Sequence, residues 1–243
     1  MSTYDAIAAL YDPWSRSVVE DIAFYVNEAL AARGPVVELG VGTGRIAVPT
    51  AQAGVRVIGV DSSERMLRIC RERGEEAGVA DRLDLRLGDL RRPPVTERVP
   101  LVTSPFRSFL HLESDEARRE ALAAAHDLLP PGGRFVFDVF TPSPGDVEKT
   151  HDRWLEREPG IWERAFWDAD RRTLVLSVRG ESGEATMRLA WLPVDEWRAL
   201  LEEAGFEIVA LHGWFDGRRY DGGEDMVWVA RRPESEAAAQ ARR

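Results

Sequence analysis

The chain has 243 residues, 44% hydrophobic and 30% charged, a balance that suits a globular fold with a sizeable core and excludes wholesale disorder. Its formal net charge of -10, from 42 acidic and 32 basic side chains, repels phosphate backbones and anionic bilayers, so neither nucleic acid nor membrane is an expected partner. Cys70 is the single cysteine, which rules out an intrachain disulfide; with no signal-peptide pattern at the start and no run of ~20 apolar residues, a cytoplasmic protein is expected.

The segment 15–33 places Val18, Val19, Ile22, Phe24, Tyr25, Val26, Ala29 and Leu30 near helical spacing, and Gly34 closes it. Residues 35–39 read as a first strand and 46–53 as a short helix with Pro49 near its first turn. A second strand covers 55–60, and Ser62 or Ser63 caps a helix to about Glu76. Further strands are expected at 83–87, 99–104 and 134–140, with a helix over 114–129 stopped by Pro130-Pro131-Gly132-Gly133. From Thr141 to about Glu158 the chain is rich in Pro, Gly and charge and reads as a loop or short irregular helix. Three β-type runs come next, at 161–167, 173–179 and 185–192, joined by short polar turns in the manner of an antiparallel meander. A helix at 193–204 and strands at 206–211 and 226–230 complete the pattern.

Strands alternating with helices imply an α/β fold, a Rossmann-like, seven-stranded, mostly parallel sheet with helices on both faces. The meander is an insertion after strand five, on the side where open α/β sheets bind ligands, and is placed to act as a lid. The expected divisions are a helical cap (1–33), the core (34–140), the inserted meander (141–192), the rest of the core sheet (193–232) and a tail (233–243).

Glu38-Leu39-Gly40-Val41-Gly42-Thr43-Gly44 ends the first strand, and Asp61 ends the second, 21 residues past Gly40. Glycines there let the backbone turn tightly and approach a ligand, and an acidic side chain at the second strand's end suits ribose hydroxyls. A dinucleotide fingerprint is Gly-x-Gly-x-x-Gly, but the sixth position here is Arg45 and the third glycine is Gly44. The third glycine of that fingerprint serves close packing around a pyrophosphate. A sulfonium amino acid has none, and needs instead an acid for its ammonium, for which Glu38 is suitably placed. This favours S-adenosylmethionine.

The segment 36–44 resembles motif I of the class I S-adenosylmethionine-dependent methyltransferases. Val57-Ile58-Gly59-Val60-Asp61-Ser62-Ser63, with Met66 and Leu67, resembles their second-strand motif, and Leu87-Gly88-Asp89-Leu90 their third, whose acid meets the adenine amino group. Residues 128–139 resemble the family's Pro-Gly-Gly turn and strand five, with Pro130 where a basic residue is common. The resemblance implies S-adenosylmethionine held by Glu38, Gly40, Gly42, Gly44, Asp61, Ser62, Met66, Gly88, Asp89, Leu90 and Ser104. Tyr11, with Trp14, is expected to close over the methionine end, and Arg16 to pair with the cofactor carboxylate. The helical start and late meander are similar to small-molecule N- and O-methyltransferases of the sugar-amine and sarcosine/glycine type.

Methyl transfer from a sulfonium is an in-line displacement with an activated leaving group, so holding the nucleophile and excluding water supply much of the catalysis. After strand four the chain reads Thr103-Ser104-Pro105-Phe106-Arg107-Ser108-Phe109-Leu110-His111. It lacks the Asn/Asp-Pro-Pro-Tyr/Phe pattern that binds planar amides, the Pro-Cys of pyrimidine carbon-5 methylation and the acids of a magnesium-dependent site, so no metal is expected. His111 is the candidate base, since imidazole titrates near neutrality, and packing beside the next helix is its alternative role. Trp154, Trp162, Trp167, Trp191, Trp197 and Trp214 crowd the insertion and the C-terminal segment, as core or as walls of an acceptor pocket. A small-molecule methyl acceptor, nitrogen or oxygen, is thus the expected partner. A non-catalytic S-adenosylmethionine-binding partner protein and a nicotinamide oxidoreductase remain alternatives.

Overall fold

A computed structural model describes residues 4–234; the remainder of the expected tail lies outside the described residues. Two helices come first, α1 (Tyr4–Trp14) and α2 (Glu20–Ala32). The core then alternates β1 (Val36–Leu39), α3 (Ala47–Gln52), β2 (Val57–Asp61), α4 (Glu64–Glu76), β3 (Leu83–Leu87), β4 (Leu101–Ser104), α5 (Asp115–Asp127) and β5 (Arg134–Phe140). Next come α6 (Pro144–Thr150) and four strands, β6 (Trp154–Glu158), β7 (Ile161–Asp168), β8 (Thr173–Gly180) and β9 (Gly183–Ala190). The chain returns through α7 (Val194–Glu203), β10 (Glu207–His212) and β11 (Asp225–Arg231).

The main sheet has seven strands in the order β10-β11-β5-β4-β1-β2-β3, and only the pairings of β11 are antiparallel. β1 lies between β2 and β4, both parallel to it, so the strand order reverses direction there and leaves a crevice beyond the strand ends. Burial follows from the sequence: β1 reads Val-Val-Glu-Leu and is buried at all four positions, as a strand covered on both faces must be. On one face Phe135 and Phe137 stack at 4.8 Å and pack with Phe109 and Trp197; Tyr25 and Ala29 of α2 cover Val36, Leu101 and Val136 on the other. Each such buried side chain contributes about 1.5–3 kcal/mol.

β6 to β9 form a separate antiparallel sheet, closed between β8 and β9 by a hairpin whose end residues Gly180 and Gly183 pair. Its inward residues Ala165, Leu174, Leu176, Met187 and Leu189 are buried in the same core as Ile7 and Leu10 of α1.

Two expectations are corrected. The helix read over 15–33 is broken: residues 15–19 form the connection between α1 and α2, and Val19 is 56% exposed. Arg45 donates to the Val18 carbonyl there, holding a turn that side-chain periodicity does not register. The meander has four strands, because the charged stretch Trp-Leu-Glu-Arg-Glu forms β6 at the sheet's edge. One face of that strand is solvated and its Trp154 is covered by the guanidinium groups of Arg164 and Arg179 at 5.0 and 4.2 Å, so no apolar alternation marks it.

Candidate active site

A cavity of about 1020 Å³ opens beyond the ends of β1 and β2, walled by the glycine loop, α1, the segment after β4 and the inner face of the meander. The glycine loop bends because Gly40, Gly42 and Gly44 all have positive φ, at 78, 55 and 82°. The three differ in what they face. A side chain on Gly40 would meet Ser108 Oγ at 2.6 Å and one on Gly44 would meet Cys70 Sγ at 2.5 Å, whereas Gly42 faces open space. Gly42 is thus the point where a ligand can lie directly on the backbone. Its N–H donates to Asp61 Oδ2 at 2.8 Å, and the N–H of Ser63 donates to Oδ1 at 2.8 Å. Asp61 also accepts from the Ser62 backbone N–H, so it ties the loop to the start of α4 while still lining the cavity. Ser63 caps α4 by accepting from Met66 N, which sets Met66 on the cavity wall.

α1 is fastened over this crevice by polar side chains, among them Arg65, whose Nη1 donates to the Asp5 carbonyl at 3.1 Å. Thr43 Oγ1 donates to Asp12 at 2.7 Å, and Arg73 pairs with the same carboxylate at 2.8 Å. Ser63 Oγ donates to Asp5 at 2.6 Å. At its far end Trp14 Nε1 donates to Glu163 of β7 at 2.8 Å, joining the cap to the meander. Tyr11 and Trp14 both line the cavity, each edge-on to Phe106 at 5.8 Å.

On the side away from the glycine loop the lining changes. Phe140, Trp167, Leu174, Leu176, Met187 and Leu189 give an apolar wall, and Trp167 is fixed by Nε1 donating to Thr150 Oγ1 at 2.9 Å. Asp146, Glu224 and Asp225 form an acidic margin, where Asp146 and Glu224 share a hydrogen bond that raises Asp146 and lowers Glu224. Asp138, on β5, is buried; loss of water pushes its carboxyl up to about 6 despite a hydrogen bond from Tyr25. It accepts the backbone N–H groups of Phe106 and Arg107 at 2.8 and 3.1 Å, both residues in left-handed backbone with φ of 53 and 63°. Such backbone costs about 1–2 kcal/mol per residue.

A methyltransferase-domain family model matches residues 36–133. The CcbJ methyltransferase from Streptomyces caelestis is 31% identical with a TM-score of 0.77, over 88% of this chain and 94% of that one. The chain belongs to the S-adenosylmethionine-dependent methyltransferases. Cypemycin N-terminal methyltransferase from Streptomyces sp. is 23% identical over 229 residues, 90% of each chain. The S-adenosylmethionine-bound structure of CalS10, an amino pentose methyltransferase from Micromonospora echinaspora, shares the fold at 21% identity and a TM-score of 0.64, covering 96% of this chain and 97% of that one. The methyltransferase's cofactor is S-adenosylmethionine, and the open backbone at Gly42 beside the cavity-lining Asp61 fits an adenosyl group.

Of the residues singled out in the sequence, the methyltransferase brings Tyr11, Gly40, Gly42, Asp61, Ser62, Met66, Gly88, Asp89, Leu90 and His111 to the cavity wall. Four stand elsewhere. Arg16 is exposed on the α1–α2 connection, outside the lining, and the carboxylate in its field is Glu158. Gly44 packs on Cys70, which explains why the cysteine is buried and burial lifts its thiol to about 12. Ser104 Oγ donates to the Leu39 carbonyl at 2.9 Å within the sheet. Glu38 is buried in β1 behind the loop, and loss of water pushes its carboxyl up to about 8 although Arg45 opposes this. Asp89 does reach the cavity, with its carboxylate held by Arg91 Nη2 at 2.6 Å.

Of the six tryptophans offered as core or pocket wall, Trp167 and Trp214 line the cavity; Asp138 was not singled out, and Phe106 and Arg107 were marked only as part of the segment after strand four. Each lies in a segment legible as strand or loop, and only the packing of separate segments turns it toward the cavity. Arg45, marked in the sequence only by its place in the glycine pattern, forms a bidentate pair with Asp21 at 2.6 and 2.5 Å and lies 4.6 Å over the Phe106 ring.

Proposed function

We propose that the methyltransferase acts on a nitrogen of a small amine with an apolar body. One observation carries this: among the described residues, ten carboxylate side chains line the cavity (Glu20, Asp21, Asp61, Asp89, Glu113, Asp138, Asp146, Glu163, Glu224 and Asp225), and with five of them paired to Arg45, Arg91, Arg107, Arg157 and Arg188 the wall is still net acidic. A concave site of one sign concentrates ions of the other, so ammonium compounds are favoured as acceptors over free carboxylates or phosphates. The apolar wall of the meander gives the rest of the acceptor a surface to dock on. Two of the similar proteins are named for an N-terminus and for an amino pentose, both amine-bearing groups.

In this assignment Gly40 and Gly42 allow close approach of the cofactor, Asp61 and Ser62 take its ribose, and Met66, Gly88, Asp89 and Leu90 frame its adenine. Tyr11 and Trp14 close the methionine end. Glu38, Gly44 and Ser104 support the loop from behind, and Arg16 is assigned no contact. S-adenosylmethionine, when bound, supplies a methyl group on a positively charged sulfur. The residues of the chain hold the amine nitrogen in line with that carbon, exclude water through α1 and the meander, and receive the proton the nitrogen must lose. His111 is the proton acceptor: its Nδ1 is committed to the Arg188 carbonyl at 3.0 Å, which leaves Nε2 basic.

The test is a mass-spectrometric screen of purified protein with S-adenosylmethionine against primary and secondary amines, phenols and alcohols of similar size. Methylated amine with matching S-adenosylhomocysteine is the expected result. Turnover of phenols or alcohols with no amine methylated would replace nitrogen by oxygen.

A further inference from the structure

The segment after β4 carries two consecutive non-glycine residues in left-handed backbone, Phe106 and Arg107. Conformations of this kind persist only where the surroundings over-determine them. Here a single side chain does so. Asp138 Oδ1 accepts from Phe106 N at 2.8 Å and Oδ2 accepts from Arg107 N at 3.1 Å, while the Tyr25 hydroxyl donates to Oδ1 at 2.6 Å. An ionised carboxylate accepts at both oxygens and donates at neither, so it satisfies two adjacent N–H groups at once; an amide offers one oxygen and turns an NH2 toward the other. Asp138 is fixed in turn by β5, where it pairs with Val227 of β11 inside the sheet.

The two residues it holds serve opposite ends of the cavity. The Phe106 ring stands between Tyr11 and Trp14 of α1 and beneath the Arg45 guanidinium. The Arg107 guanidinium lies 4.5 Å over Phe140 and pairs with Asp225 at 2.9 Å, at the acidic margin. We propose that Asp138 is a positioning residue of the transfer reaction, clamping the 106–107 bend so that Phe106 meets the lid over the cofactor while Arg107 borders the acceptor's entrance. This rests on the cofactor and acceptor assignment above.

The test compares wild type, D138N, R107G and D138N/R107G by amide hydrogen exchange of the segment 104–109 and by calorimetric binding of S-adenosylhomocysteine. In D138N the amides of residues 106 and 107 exchange about tenfold faster or more, and S-adenosylhomocysteine binds about 10–100-fold more weakly. In the R107G background D138N weakens binding by a smaller factor than it does in the wild-type background, because glycine at 107 occupies a positive φ unaided while Phe106 still depends on its bond to residue 138. Y25F, which keeps both backbone bonds, leaves exchange unchanged and binding within about twofold, and so provides a readout even where D138N does not fold. An equal loss from D138N in both backgrounds, unchanged exchange at the two amides in D138N, or a large loss in Y25F overturns the proposal. A wild-type chain that binds no S-adenosylhomocysteine fails the cofactor assignment and overturns the role; protection of the two amides separates that result from failure of the clamp.

Discussion

The Nδ1 of His111 lies 3.0 Å from the carbonyl oxygen of Arg188, on the outer strand of the inserted sheet. A carbonyl oxygen only accepts, so Nδ1 carries the ring proton and Nε2 is the basic nitrogen. The insertion thereby sets the tautomer of a side chain that the core supplies, and the Tyr4 ring, edge-on at 4.8 Å, fixes its plane.

Burial pushes the His111 imidazole down to about 4, so it is neutral from pH 5 to 8 and gives no inflection near 6.5 in the rate profile. A base of such low proton affinity contributes at the low end of general-base effects, about 10²-fold. H111A is expected to lower kcat by about that factor and leave S-adenosylhomocysteine affinity within about twofold. Steady-state kinetics with a methylated amine, beside calorimetry, check this; a larger loss in binding than in kcat would assign His111 to packing.

Glu38 supplies a pH dependence whose sign follows from its burial. Its folded-state value of about 8 lies above that of an unfolded chain, near 4.5. Stability is therefore full below about 4.5 and falls as pH rises toward 8, by about 3–5 kcal/mol from this group. E38Q mimics the protonated form and is expected to flatten the fall in Tm of the cofactor-free protein between pH 5 and 8. Calorimetric melting across that range decides it, and an unchanged slope would show that Glu38 ionises normally. The same buried acid gives up its proton when a cation binds nearby, so wild type is expected to release protons on binding S-adenosylmethionine, read from binding enthalpies in buffers of different ionisation heat.

Alanine at two glycines of one loop is expected to fail in different ways. G44A drives a methyl into Cys70 Sγ at 2.5 Å and Val48 Cγ2 at 3.1 Å with φ at 82°, so it lowers stability by about 2–4 kcal/mol. G42A has open space and loses only about 1–2 kcal/mol to its backbone, yet places a methyl where the cofactor is proposed to lie. Urea denaturation and S-adenosylmethionine titration separate them: G42A binds at least about tenfold more weakly while staying folded. Equal losses of stability in both would contradict the division between a packing and a ligand-facing glycine.

Asp61 accepts N–H bonds from Gly42 and Ser63, each a charge-assisted bond of about 1.5–3 kcal/mol. D61N keeps one oxygen and turns an NH2 toward the other donor. Cofactor affinity is expected to drop about 100-fold and stability by about 2 kcal/mol, measured by calorimetry and chemical denaturation. Normal cofactor binding in a destabilised D61N would restrict Asp61 to capping.

The sheet, its strand limits near β3 and β5 and the cofactor class were legible in the sequence because their causes are local. Strand, glycine bend, helix cap and the acid at the next strand's end succeed one another within about thirty residues, and parallel strands buried on both faces write themselves as apolar runs. The acceptor end had no such local cause. Trp14 meets Glu163 across 149 positions, Phe106 meets Asp138 across 32, and Arg118 reaches the Ala190 carbonyl across 72, and no spacing rule links these partners. β6 leaves no mark in the sequence because an edge strand with solvated side chains lacks the alternation that a half-buried strand shows.

By itself, then, the chain's order of residues determined the α/β architecture and the cofactor class, since both depend on backbone geometry within single strand–turn–helix units. Only the tertiary structure decided which acids gather around the cavity, which glycine faces open space rather than core, and which nitrogen of His111 is basic. Those properties arise from side chains brought together by packing, and their energies depend on burial and neighbours that no one-dimensional pattern contains.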